Sequence, residues 1–168
     1  TGDISDKNNG YQYAESLIKR IIAVTDVPLL KVFMIPGNHD LNRSIPDERE
    51  QIIREVWEIE LFDEDEREYY DKLNKAQNDF FDTYENVLGR KYPKDKIHFA
   101  DSLDDNIAII HLNTAWMCYD SENESGKLHV GLNSLFECLS EPIVKTKPIK
   151  IAIGHHRISD FNNCVEAH

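Results

Sequence analysis

The sequence predicts a layered α/β fold, because short apolar runs alternate with amphipathic segments along the chain. Three of these runs are predicted as strands, at residues 31–35, 106–112 and 150–153. They are apolar at most positions, which is typical of strands that are covered on both faces. A polar cluster follows each run, and in open α/β sheets ligand sites gather in the loops at the carboxyl ends of strands.

Helical periodicity appears in three further segments. Residues 13–24, 48–60 and 69–88 each place apolar side chains on one face, and Gly89 is the expected end of the last helix. The surrounding segment, residues 44–96, is acidic, with 16 acidic against 9 basic residues. We interpret 44–96 as a helical insertion between two core strands. Two interpretations stay open, namely an element that packs on the scaffold and a cap that shapes the entrance to a site.

Length, charge and cysteine content narrow the class of protein. A chain of 168 residues is long enough for one domain with its own core. The net charge of −12 argues against a grip on nucleic acid spread over the whole surface, although a local basic groove is not excluded. No run reaches the ~20 apolar residues that span a bilayer, so no membrane partner is expected. Cys118, Cys138 and Cys164 form no metal or redox spacing, which suits a reducing, cytoplasmic location.

Three short motifs carry the candidate chemistry. They are G-D-I-S-D at residues 2–6, G-N-H-D at 37–40 and G-H-H at 154–156. Each motif alone has an ordinary explanation, as a turn or as a buried core histidine. G-N-H-D is the most specific, since a random chain of this length would contain it about once in a thousand cases. The informative observation is that all three occur in order, the second and third directly after predicted strands.

This ordered set resembles the calcineurin-like metallophosphoesterase family, whose signature runs D-x-H, G-D-x-x-D, G-N-H-[DE], H and G-H-x-H. The middle three elements match, and the stretches H-L-N-T-A-W and G-L-N-S-L-F-E-C-L also follow the family's order. The resemblance implies a β-sandwich flanked by helices, a four-layer α/β/β/α arrangement. The first and last motifs are not found, so we expect residues 1–168 to be a partial domain whose site the rest of the parent chain completes.

The resemblance also implies the metal ligands. Asp3 would be the carboxylate that bridges two metal ions, while Asn38 and His155 would bind the second ion. This set offers oxygen and nitrogen donors without thiolate. We therefore expect two Mn²⁺ ions, with Fe or Zn²⁺ as alternatives.

Two residues are expected to be catalytic on the same resemblance. His39 would stabilise the phosphoryl oxygens or protonate the leaving group, and Asp6 would orient the His39 ring by accepting its other proton. For Asp40 we favour a structural role in the turn. Arg157 stands where the family often has proline, so it is a candidate phosphate contact. The remaining histidines, among them His98, His111 and His129, are expected to be ordinary strand or loop residues.

The expected reaction is hydrolysis of phosphate mono- or diesters by a hydroxide that two metal ions activate. The substrate is a phosphate ester, with nucleotides and nucleic acid among the candidates. Two alternatives remain at this point. One is a nuclease module of a multidomain defence or signalling protein, and the other is a non-catalytic interaction module that has lost its metals.

Overall fold

The computed structural model describes residues 2–5, 10–42, 48–58, 66–119 and 125–161. The predicted catalytic residue Asp6 and the third cysteine, Cys164, lie outside the described residues. The helices are α1 (Tyr11–Thr25), α2 (Glu48–Glu58), α3 (Glu66–Leu73), α4 (Asn78–Leu88), α5 (Leu132–Ser140) and α6 (Pro142–Lys145). The strands are β1 (His98–Ser102), β2 (Ile107–Leu112) and β3 (Ile149–Ile153).

The strands form a mixed sheet in the order β1-β2-β3. β1 and β2 are antiparallel, with His98 opposite Leu112. β2 and β3 are parallel, with Ile107 opposite Ile149, and the chain crosses from one to the other through α5 and α6. Because parallel neighbours end at the same edge, this crossover brings the residues that follow β2 and β3 together.

The predicted strand at residues 31–35 is wrong. Residues Leu29–Lys31 form a 3₁₀ turn, and residues 32–36 pair with no strand in the described part of the chain. A strand needs a neighbour for its backbone groups, and here the carbonyl oxygen of Val32 accepts a hydrogen bond from Nη2 of Arg90 at 2.9 Å instead. The apolar pattern reports burial, since the exposed fractions of Met34 and Ile35 are 6% and 1%.

The other two strand predictions are confirmed within one residue, but the expectation of two covered faces holds for only one of them. β2 is buried at its four central positions. In β3, Ile149 and Ile151 remain 49% and 43% exposed. The sequence also failed to predict β1, whose residues H-F-A-D-S have no clear alternation.

The helix predictions are confirmed. The segment 13–24 lies in α1 and 48–60 overlaps α2. The segment 69–88 becomes α3 and α4, joined by a 3₁₀ turn at Asn74–Gln77. Gly89 ends α4 with a φ of 66°, a left-handed conformation that glycine adopts without steric cost, and its N–H donates to the carbonyl of Glu85.

The helices of the 44–96 segment take part in the hydrophobic core. α4 packs with α1 and β1 around an aromatic group, in which the ring of Tyr92 stacks on Phe81 and meets Phe99 edge to face. α2 and α3 pack on the loop after β2, where the ring of Tyr70 meets Trp116 edge to face. These contacts join the acidic segment to the sheet as one packed unit. Whether it also shapes the entrance to a site stays a prediction.

The α/β class is therefore confirmed, while the described residues contain one three-stranded sheet rather than the two sheets of the expected four-layer sandwich. No helix within the described ranges is both long and apolar enough to cross a membrane.

Candidate metal centre

The first two motifs meet through their glycines. A Cβ atom added to Gly37 would lie 2.3 Å from the backbone nitrogen of Asp3 and 2.4 Å from its Oδ1 atom. A Cβ atom on Gly2 would lie 2.4 Å from the Cα of Gly37 and 2.8 Å from Nδ1 of His155. Real Cβ atoms cannot approach this closely, so glycine is required at both positions. Gly2 and Gly37 thus let two loops pack backbone to backbone beside a histidine.

Asp3 itself has a φ of 59°, an uncommon left-handed conformation for a residue with a side chain. Such backbone strain is found where the surrounding structure holds a functional side chain in place. Here the strain coincides with contacts to both other motifs. Oδ1 of Asp3 accepts a hydrogen bond from the backbone N–H of His39 at 3.0 Å, and Oδ2 lies 3.4 Å from Nε2 of His155.

Asp40 holds the G-N-H-D turn together. Its side chain is fully buried, and its two carboxylate oxygens accept hydrogen bonds from the backbone N–H groups of Gly37 at 2.9 Å and Ser5 at 2.8 Å. The hydroxyl of Tyr11 donates to the Asp40 carbonyl at 3.0 Å. Burial, and then the charge of Asp40, raise the pKa of Tyr11, so this hydroxyl remains a donor. These contacts support the structural role favoured for Asp40.

His155 and His156 follow β3 and are held by a residue that follows β2. The side-chain oxygen of Thr114 accepts hydrogen bonds from the backbone N–H of His155 at 3.3 Å and of His156 at 3.2 Å. The same oxygen lies 2.9 Å from Nδ1 of His156. On the far side of that ring, Nε2 lies 3.5 Å from the sulfur of Cys118. Burial, and then the charge of His155, lower the pKa of His156 to about 4.

Asp3 and His155 are spaced as two ligands of one ion would be. Two donor atoms that each lie about 2.1 Å from a common ion are separated by about 3.0 to 3.4 Å for bond angles from about 90° to 109°. The 3.4 Å between Oδ2 of Asp3 and Nε2 of His155 falls within that range. Asn38 belongs to the same turn as His39 and is partly buried there. The donor set of carboxylate, amide and imidazole therefore fits a divalent cation of intermediate softness.

The group of possible metal ligands around Asp3 and His155 is small within the part of the chain that the structure describes. No group of three or more His, Cys, Asp or Glu side chains that could hold a metal is found among those residues. Asn38 is not a member of those residue types, and Asp6 lies outside the described ranges. Among the candidate residues that the structure describes, the side chains of Asp3 and His155 lie next to each other.

The remaining candidates lie as follows. His39 is partly buried in the turn, beside the backbone contact to Asp3. Arg157 is exposed, and its backbone N–H donates to Asp160 at 3.0 Å. His98 is buried at β1, where Nε2 contacts the carbonyl oxygen of Val130.

His111 is fully buried on β2 and stacks on Phe99 with ring centroids 4.1 Å apart. His129 is also buried, and burial lowers its pKa.

Sequence reasoning missed Thr114 and Cys118. The only available signal was the polar pair Asn113-Thr114 directly after a predicted strand, which marks a strand end without saying what it contacts. The contact to His155 depends on the parallel pairing of β2 and β3.

Comparison with known proteins bears on the family of the chain. Residues 1–167 match the family described as calcineurin-like phosphoesterase. The chain is 28% identical to an uncharacterized metallophosphoesterase-like protein, YydB, of Bacillus subtilis strain 168. That alignment covers 99% of this chain and 35% of the relative, so the chain spans about a third of the relative's length. No solved structure matches the chain significantly.

Proposed function

The chain belongs to the calcineurin-like phosphoesterase family, and on that premise we propose that, as part of a longer parent chain, it hydrolyses phosphate mono- or diesters, with two divalent metal ions held in part by Asp3, Asn38 and His155. The observation that carries the proposal is the convergence of Asp3 and His155, at 3.4 Å, beside the G-N-H-D turn. Mn²⁺ is the expected ion, because the donors mix oxygen and nitrogen without thiolate.

In this proposal some residues bind the metal ions and others transfer a proton. Asp3 and His155 hold the cation from two loops, and the backbone N–H of His39 fixes the Asp3 carboxylate by donating to Oδ1. When bound, the metal ions lower the pKa of water and neutralise charge on the transferring phosphoryl group.

The imidazole of His39 stabilises the phosphoryl oxygens or donates a proton to the leaving-group oxygen. Asp6, which lies outside the described residues, is the residue proposed to accept the other ring proton and so to fix the tautomer of His39.

The site is partly exposed to solvent, so a substrate can reach it. The side chain of Asp3 is 35% exposed and that of His155 is 19% exposed. The net charge of −12 favours a small phosphate ester over a long polyanion, since association with nucleic acid gains most from phosphate contacts by Lys and Arg.

The test is hydrolysis of p-nitrophenyl phosphate and bis(p-nitrophenyl) phosphate by the full parent protein, with Mn²⁺ and with EDTA. We expect turnover that requires Mn²⁺ and is abolished in Asp3→Ala and His39→Ala. Asp82→Asn serves as the control, because Asp82 is an exposed carboxylate 3.7 Å from Lys94 and outside the cluster described above.

The ester that is cleaved faster separates a phosphodiesterase from a phosphomonoesterase. Absence of turnover with every divalent metal, in a folded parent protein, would contradict the proposal and favour a non-catalytic interaction module.

A further inference from the structure

The hydroxyl of Thr114 contacts two consecutive histidines, His155 and His156. Thr114 is 2% exposed, and its hydroxyl oxygen contacts the backbone nitrogen of His155, the backbone nitrogen of His156 and the Nδ1 atom of His156. The contacts span 41 and 42 positions of sequence, so they exist only because the sheet brings the ends of β2 and β3 together.

The number of protons at this oxygen determines the state of the His156 ring. A threonine hydroxyl has two acceptor lone pairs and one proton to donate. The two backbone N–H groups occupy the lone pairs, so the proton is left for Nδ1 of His156. That ring nitrogen must then be an acceptor, which places the ring proton of neutral His156 on Nε2. From Nε2 it is directed at the sulfur of Cys118, 3.5 Å away.

The same contacts also bear on the position of His155. Thr114 follows β2 after a single intervening residue, and its Cγ2 atom would lie 3.5 Å from a Cβ atom at Gly154, so hydroxyl and methyl group both face the turn that carries His155. The rings of His155 and His156 meet edge to face with centroids 4.7 Å apart. Thr114 and Cys118 hold the His156 ring in one orientation. Because that ring packs edge to face against the ring of His155, it limits the rotation of the His155 side chain.

We propose that Thr114 is a positioning residue that sets the imidazole of His155 for metal binding, acting through the backbone of the His155-His156 turn and through the ring of His156. The proposal rests on the proposed function, because it assigns His155 to the metal site. Mutation of a residue that orients a metal ligand typically lowers the metal affinity by about 10- to 100-fold.

The experiment measures Mn²⁺ binding to the parent protein by the loss of the electron paramagnetic resonance signal of free Mn²⁺, which does not depend on turnover. Thr114→Val keeps the shape of the side chain and removes the hydroxyl, while Thr114→Ser keeps the hydroxyl. Thr146→Val is the matched control, because that exposed hydroxyl donates to the carbonyl of Pro142, at 2.8 Å, at the end of the short helix α6.

We expect Thr114→Val to bind Mn²⁺ about 10- to 100-fold more weakly than the wild type, with Thr114→Ser and Thr146→Val close to the wild type. Wild-type affinity in a folded Thr114→Val protein would overturn the proposal. So would an equal loss of affinity in Thr114→Ser and Thr114→Val, since the hydroxyl would then not be the cause.

A second measurement covers the case in which Thr114→Val does not fold. Nitrogen-15 spectra of the histidine rings in the metal-free wild type report the tautomer of His156 directly. The proposal requires the proton on Nε2, and a proton on Nδ1 would overturn it.

Failure of the proposed function gives a different result. In that case the wild type and Asp3→Ala would bind Mn²⁺ equally weakly, whereas failure of the Thr114 proposal alone leaves the wild type tight and Asp3→Ala weak.

Discussion

The carboxylate of Asp40 accepts a hydrogen bond from the backbone N–H of Ser5 at 2.8 Å, although 35 positions of sequence separate the two residues. The other carboxylate oxygen binds the N–H of Gly37, three residues before Asp40. One buried side chain thus joins the first motif to the second. The position of Asp3, between Gly2 and Ser5, depends on this joint.

Replacement of Asp40 by Asn should therefore destabilise the protein. An amide offers one acceptor oxygen where the carboxylate offers two, and its NH₂ group would face a backbone N–H. We expect the free energy of unfolding to fall by about 2 to 4 kcal/mol. Urea denaturation of the metal-free protein measures it.

Asp82→Asn is the comparison for this change, because that side chain is 69% exposed and its ion pair with Lys94 is 3.7 Å long. Its effect should stay within about 0.5 kcal/mol. Equal effects of the two replacements would contradict the role assigned to Asp40.

Addition of a methyl group at Gly37 should displace Asp3. The new Cβ atom would lie 2.3 Å from the backbone nitrogen of Asp3, so one of the two loops must move. We expect a loss of about 1 to 3 kcal/mol in stability and of about 100-fold in Mn²⁺-dependent turnover. Denaturation and p-nitrophenyl ester hydrolysis of Gly37→Ala in the parent protein measure the two effects.

Gly154→Ala is the matched change in the third motif, where the nearest atom to the new methyl group lies at an ordinary 3.5 Å. It should have the smaller effect on both quantities. A larger effect at Gly154 than at Gly37 would contradict the requirement for glycine at position 37 beside Asp3.

Arg49 should connect α2 to the core. Its side chain is buried, and its guanidinium donates to the carbonyl oxygens of Leu73, Trp116 and Cys118 at distances from 2.7 to 3.2 Å. Arg49→Met leaves these buried carbonyls without that donor, so we expect a loss of about 2 to 4 kcal/mol in the free energy of unfolding.

Arg54→Met, on the same helix, removes an exposed pair with Glu50 and should cost less than about 1 kcal/mol. If Arg49→Met were as mild as Arg54→Met, the packing of α2 on the loop after β2 would be in doubt.

His98 should make the protein sensitive to mild acid. Burial lowers the pKa of His98 to about 4, from its ordinary value of 6.5, against the opposing effect of the carbonyls of Val130 and Gly131. Between these values the unfolded chain takes up a proton that the folded chain excludes, so stability falls as the pH drops from about 6.5 to about 4.

The contribution of His98 to that loss is about 2 kcal/mol at about pH 5. His98→Gln retains a nitrogen donor and does not titrate, so its stability should fall less between about pH 7 and about pH 5 than that of the wild type. Denaturation of the metal-free proteins at both pH values measures the difference, and identical losses would contradict the burial of His98.

Patterns within a few residues predicted most of the secondary structure. The helical periodicity of residues 13–24, 48–60 and 69–88 arises from side chains one turn apart, and α1, α2 and the pair α3 and α4 form there. The strand prediction at residues 31–35 was wrong because pairing in a sheet depends on a neighbouring strand, which a local pattern does not reveal.

The sequence by itself determined which donor types are available and their order along the chain, through the G-D, G-N-H-D and G-H-H motifs, and with them the family. Only the tertiary structure decided that Oδ2 of Asp3 meets Nε2 of His155 and that Thr114 holds the turn behind it. The physical reason is distance along the chain. Contacts between residues tens of positions apart arise from the parallel pairing of β2 with β3 and from the backbone contact of Gly2 with Gly37, neither of which a local pattern encodes.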